Sequence, residues 1–128
     1  MNNIFKFLVL SLVSLAPQAG WCKMVFICHK GLGYDEATIR RSYTGQLDEP
    51  HMADNKALKS ELLKFVDHSD LSYKRMWTKQ YFRRAITPPV LKENDQAVIE
   101  FVAKHHEGIG YVSAAPKNNS EVEVCGNN

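Results

Sequence analysis

The sequence predicts a small α/β domain in which about four helices pack on a small mixed sheet. Three observations carry that prediction. An apolar run, Met24-Val-Phe-Ile-Cys28, opens the body of the chain. Apolar positions at helical spacing follow, with Leu58, Leu62, Phe65 and Val66 in one segment and Val98, Phe101 and Val102 in another. Two short strand-like runs, Ile109–Val112 and Val122–Cys125, close it.

Ahead of this body lies a segment of another kind. Lys6 precedes Phe7–Ala16, ten residues without a charge. A membrane-spanning helix needs about 20 apolar residues, so the run is too short to span. Ala16, Pro17, Ala19 and Gly20 follow it directly, as a signal-peptide cleavage region requires. The expectation is a signal peptide over residues 1–22, cut between positions 19 and 22, and an exported domain over residues 23–128 with no stable membrane insertion afterwards. Bulky Trp21 before Cys22 argues against a lipid-modified cysteine.

The exported part is one domain long. Without Lys6 it holds 15 basic and 14 acidic residues, interspersed rather than blocked. That balance points to neither nucleic acid nor an anionic membrane as a partner. If Cys22 leaves with the signal, Cys28 and Cys125 remain, an even pair in an oxidising compartment and so a disulfide candidate. Two buried free thiols are the alternative.

The elements follow in order. Met24–Cys28, rich in branched and aromatic side chains, reads as a strand buried on both faces. Gly31 and Gly33 turn the chain, and Asp35 and Glu36 open a helix through Ile39 and Tyr43 to Gly45, acids standing where the helix dipole favours them. Residues 46–54, polar and holding Pro50, read as a loop with at most a vestigial strand at His51 and Met52. A second helix starts at Asn55, capped by Asp54 or Asn55. A third runs from Tyr73 to Phe82, and Pro88-Pro89 ends that region. Asn94 caps a fourth helix, which Gly108 terminates in the manner of a left-handed C-terminal residue.

Few residues suggest chemistry. His105-His106-Glu107 holds metal-binding residue types, but neighbours on a helix point about 100° apart and do not converge on an ion. His29, His51 and His68 show no ligand spacing, so no metal and no cofactor is expected. Cys28 lies in an apolar run, where a thiol is usually inert, and no catalytic motif occurs. The expectation is therefore a protein that is not an enzyme. Tyr73, Trp77, Tyr81 and Phe82 read as core rather than as a stacking platform, and the basic Lys79–Arg84 stretch as a solvated rim. The one candidate site is the start of the second helix, where Asn55, Lys56 and the backbone N–H groups through Ala57 offer donors to a small inorganic oxyanion. Plain helix capping is the competing reading.

Asp35-Glu36-Ala-Thr-Ile-Arg-Arg-Ser-Tyr-Thr-Gly45, then Met76-Trp77, then Phe82-Arg-Arg-Ala-Ile-Thr-Pro-Pro89, then Val98-Ile-Glu-Phe-Val102 and Gly108-Ile-Gly-Tyr-Val-Ser113 form a succession. Over residues 24–115 it resembles the phosphate-type periplasmic substrate-binding proteins, and it is similar to their small stand-alone relatives. The resemblance implies a single lobe of a type 2 periplasmic-binding-protein-like fold, with the opening strand inside the sheet, which leaves room for the chain's last strand to return beside it. It also implies periplasmic residence and binding, rather than catalysis, of phosphate or another small oxyanion. Where that family carries an arginine and then a serine-rich step, this chain has Met52-Ala-Asp-Asn-Lys56. Asn55, Lys56 and Ala57 are the donors left. The alternative function is a ligand-free interaction or sensor-input module that meets a periplasmic or inner-membrane protein partner.

Overall fold

The computed structural model describes residues 24–127, so the signal-peptide expectation falls outside the described residues. Along that span the chain forms β1 (Val25–His29), α1 (Glu36–Tyr43), β2 (His51–Asn55), a 3-10 turn (Lys56–Leu58), α2 (Lys59–Val66), α3 (Asp70–Arg84), β3 (Val90–Lys92), α4 (Asp95–Lys104), β4 (Gly108–Val112) and β5 (Val122–Cys125). The strands make one five-stranded mixed sheet in the order β3-β2-β4-β1-β5. β2 runs parallel to both β3 and β4, and β1 runs antiparallel to both β4 and β5.

Alternation along the strands divides the core in two. Phe26, Cys28, Met52, Ile109 and Tyr111 face α1, α2 and α3, where Ile39, Tyr43, Leu62, Val66, Tyr73 and Trp77 cover them. Ile27, Ala53, Val112 and Val122 face the opposite side, under Val98, Phe101 and Val102 of α4. Both faces of the sheet are thus covered.

Local signals explain most boundaries. Asp35 caps α1 by accepting from the Thr38 N–H, Ser69 and Ser72 form a reciprocal capping box on α3, and Asn94 accepts from the Ala97 N–H on α4. Three expectations are corrected. The stretch around His51 is a full interior strand, β2, rather than a loop, and its Asp54 and Asn55 are buried. Asn55 ends that strand and caps only the 3-10 turn, so α2 starts four residues later, at Lys59. Gly108 does not terminate α4, which stops at Lys104; it begins β4.

The glycines of Gly108-Ile-Gly110 serve close packing instead. A Cβ on Gly110 would stand 2.4 Å from Val98 Cγ1, and one on Gly108 would stand 3.1 Å from the Val102 Cα. A valine in a helix has one strongly preferred rotamer and cannot easily move its methyl aside. Gly110→Ala is therefore expected to destabilise the domain by about 1–2 kcal/mol through overpacking, measured by urea denaturation. An unchanged midpoint would show that α4 is free to lift off β4.

Candidate functional site

The crossover from β2 to β3 runs through α2 and α3 on one face, and the return from β3 to β4 runs through α4 on the other. The chain therefore leaves the carboxyl ends of the neighbouring strands β2 and β3 toward opposite faces, the arrangement at which open α/β sheets form ligand crevices. The β2–β4 register pairs His51 with Gly108 and Met52 with Ile109. Beyond these, side chains bridge the strands. The Tyr43 hydroxyl donates to the Ala53 carbonyl at 2.8 Å, and Asn55 Nδ2 donates to the Tyr111 carbonyl at 3.0 Å.

All three predicted anion-site residues lie at this end of β2, but each already has a partner within the chain. Asn55, with 0% exposure, donates its amide to Asp95 Oδ1 at 2.8 Å as well as to Tyr111, and its Oδ1 accepts from the Ala57 N–H at 3.0 Å. The expected cap thus consumes the backbone donor that an anion would need. Lys56 is exposed and pairs with Glu93 at 3.7 Å. Met52, which stands where the resembled family has an arginine, is buried in the core.

Asp95 is the residue the sequence reading missed. It opens α4 and receives the Asn55 amide on one oxygen and the Ser113 N–H and hydroxyl on the other. Burial works to raise its carboxyl, but the Ser113 and Asn55 hydrogen bonds outweigh that and hold it below the ordinary carboxylate range. A carboxylate of the chain itself occupies the donors gathered at the crevice.

The other face of the strand end holds a second polar cluster. Asp54, 4% exposed, accepts from the Tyr111 hydroxyl at 2.8 Å and from the Tyr73 hydroxyl at 3.2 Å to each oxygen. Lys59 Nζ lies 3.6 Å from Oδ2 and 4.9 Å over the Tyr73 ring. Burial raises the Asp54 carboxyl, and Lys59 and the two tyrosines pull it back only in part. The same burial and the neighbouring carboxylate push the Tyr73 and Tyr111 phenols far above their ordinary value. These hydroxyls stay protonated and act as fixed donors. Beside the cluster a hollow of about 370 Å³ opens between Trp77, Pro88, Pro89 and Leu91.

No protein-family model and no curated protein matches this chain. The remaining candidates are placed by geometry. Cys28 and Cys125 are joined in a disulfide, Cα atoms 5.9 Å apart across β1 and β5. The His105 ring stacks on Phe101, while His106 lies against His29. Among the described residues no group of three or more His, Cys, Asp or Glu side chains is arranged to hold a metal. Tyr73 and Trp77 are core, as read, whereas Tyr81 and Phe82 stand out into solvent.

Proposed function

We propose that this chain is an exported, periplasmic interaction or sensor-input module. In this reading it is a single-lobe relative of the phosphate-type periplasmic binding proteins, with its anion position filled by its own Asp95. The carrying observation is the commitment of Asn55 Nδ2 and the Ser113 donors to that carboxylate. An entering phosphate would have to displace Asp95 and sit beside its negative charge. Kinship is supported by the sheet, in which the opening strand is interior. Binding rather than catalysis is supported by the engagement of the reactive groups. Asp54 is held by two tyrosines and a lysine, and Cys28 is in a disulfide.

Calorimetric titration of the periplasmic protein with phosphate and sulfate tests this. The unmodified chain is expected to give no binding heat up to millimolar anion. Asp95→Ala frees the Asn55 amide and the Ser113 donors and is expected to gain weak binding, on the order of millimolar, or about 4 kcal/mol. Micromolar phosphate binding by the unmodified chain would overturn the reading in favour of solute binding.

A further inference from the structure

The charge of this protein is concentrated on one helix. α3 holds Lys74, Arg75, Lys79, Arg83 and Arg84 against a single acid, Asp70, a net +4 in a chain whose total is +2, so everything else sums to −2. Lys74 pairs with Asp70 at 3.4 Å. Among the described residues, Arg75, Lys79 and Arg83 have no carboxylate within salt-bridge distance. They recur every fourth residue, so they form one stripe along the helix, about 12 Å long at 1.5 Å per residue.

Apolar surface accompanies the stripe. Phe82 is 79% exposed, the most exposed large apolar side chain described, and it packs edge-on to the half-exposed Tyr81 at 5.4 Å. An open hollow of about 340 Å³ lies between Phe82 and the cations, sharing Lys74 and Thr78 with the hollow bounded by Leu91. The two hollows therefore flank one ridge. Exposing a phenylalanine within a cationic stripe gains nothing for folding, since no core contact and no internal ion pair results.

We propose that the outward face of α3, built from Arg75, Lys79, Phe82 and Arg83 and continued by Thr78 and Leu91, docks an acidic polypeptide segment that brings an apolar side chain to Phe82. Charge complementarity selects this occupant. Carboxylates spaced by one helical turn or by two extended residues match the cation stripe, and arginine pairs with them bidentately. Phe82 supplies the central apolar anchor of the kind that carries interface energy. A nucleic acid fits less well, because the rest of the molecule is net negative and opposes a long polyanion. A membrane surface fits less well too, because the exposed apolar side chains on α3 are few and separated by charges rather than forming a continuous stripe.

The inference rests on the interaction-module reading, and its test is separable from the anion titration. Random twelve-residue peptides displayed on phage are selected on the full exported protein, then counter-screened on the Arg75→Glu/Lys79→Glu/Arg83→Glu variant. The expected winners carry two or more Asp or Glu around an aromatic or aliphatic residue. They should lose at least tenfold in affinity on the triple variant and at least fivefold on Phe82→Ala. All four positions are exposed, so both variants should keep the parent melting temperature, which controls for folding. Binding should weaken with added salt. Neutral or basic winners, or winners that bind the triple variant equally well, overturn the proposal. So does tighter binding of phosphatidylglycerol vesicles or a duplex DNA than of any selected peptide. If selected peptides map to another face, the docking surface fails while the interaction-module reading stands. Tight phosphate binding would fail that reading without touching the peptide result.

Discussion

Removing the Cys28–Cys125 bridge is expected to cost the domain about 4 kcal/mol, the largest effect of any single covalent change here. The bond spans 97 residues, nearly the whole described chain. Closing so long a loop withdraws many conformations from the unfolded ensemble, and that loss grows with loop length. The folded side contributes as well. Both cysteines are buried in the core shared with Phe26, Ile39 and Tyr43, so reduction leaves two thiols in an apolar setting without opening a charged site. β5 is an edge strand of four residues paired only with β1, and past Cys125 the chain is held by the bond from the Gly126 N–H to the Tyr34 carbonyl. It is therefore the element expected to fray first. For a domain of this size the loss corresponds to a fall in melting temperature of about 15 °C or more. Protein purified without reductant should show no titratable thiol at Cys28 or Cys125, and a Cys28→Ala/Cys125→Ala variant should melt as the reduced protein does. Equal melting of oxidised and reduced forms, or free thiols at both Cys28 and Cys125 in freshly isolated protein, would remove the bridge from the account.

How much of this was readable in advance depended on whether a residue's partner lay nearby in sequence. β1 and β4 are apolar runs bounded by turns, β5 alternates after a polar turn, and α4 has its cap and stripe within ten residues, so local pattern suffices for each. β2 escaped because its second half is Asp54-Asn55 and it follows Pro50, which reads as loop by composition. Those polar side chains are affordable in a central strand only because Tyr73, Tyr111, Lys59 and Asp95 satisfy them, at separations of 5 to 57 residues. β3, only three residues long and directly following a double proline, has no pattern of its own and exists because β2 offers it an edge. The candidate site was half legible for the same reason. Asn55 as a cap is a local signal. Asp95 as its partner is not, since an acid in the first turn of a helix already has an ordinary explanation in the helix dipole.

The long-range cluster around Asp54 supplies the other large expected effect. Tyr111→Phe removes the shortest hydrogen bond to that carboxylate, 2.8 Å, and leaves Tyr73 and Lys59 in place. A bond to a charged group contributes about 1.5–3 kcal/mol, against about 0.5–1.5 for a neutral pair. The loss must therefore depend on whether Asp54 is ionised. Burial raises the Asp54 carboxyl in the folded state above its ordinary value. The folded protein then holds that proton more firmly than the unfolded chain does. Its stability falls as pH rises from the ordinary carboxylate value through the raised one, and is level above it. The Tyr111 hydroxyl is one of the groups that limit the rise. Without it the folded value climbs further and the decline extends to higher pH. Tyr111→Phe is expected to cost about 1 kcal/mol at about pH 2.5, below the ordinary and the raised carboxylate values alike, and about 2–3 kcal/mol at pH 7. Tyr43→Phe is the control, since that hydroxyl donates to the Ala53 carbonyl rather than to the carboxylate. It should cost about 1 kcal/mol at both pH values. Urea denaturation of the three proteins at the two pH values decides the matter. A Tyr111→Phe penalty as flat with pH as that of Tyr43→Phe would mean that the buried carboxylate stays neutral in the fold, with its charge contributing nothing to the strand end it occupies.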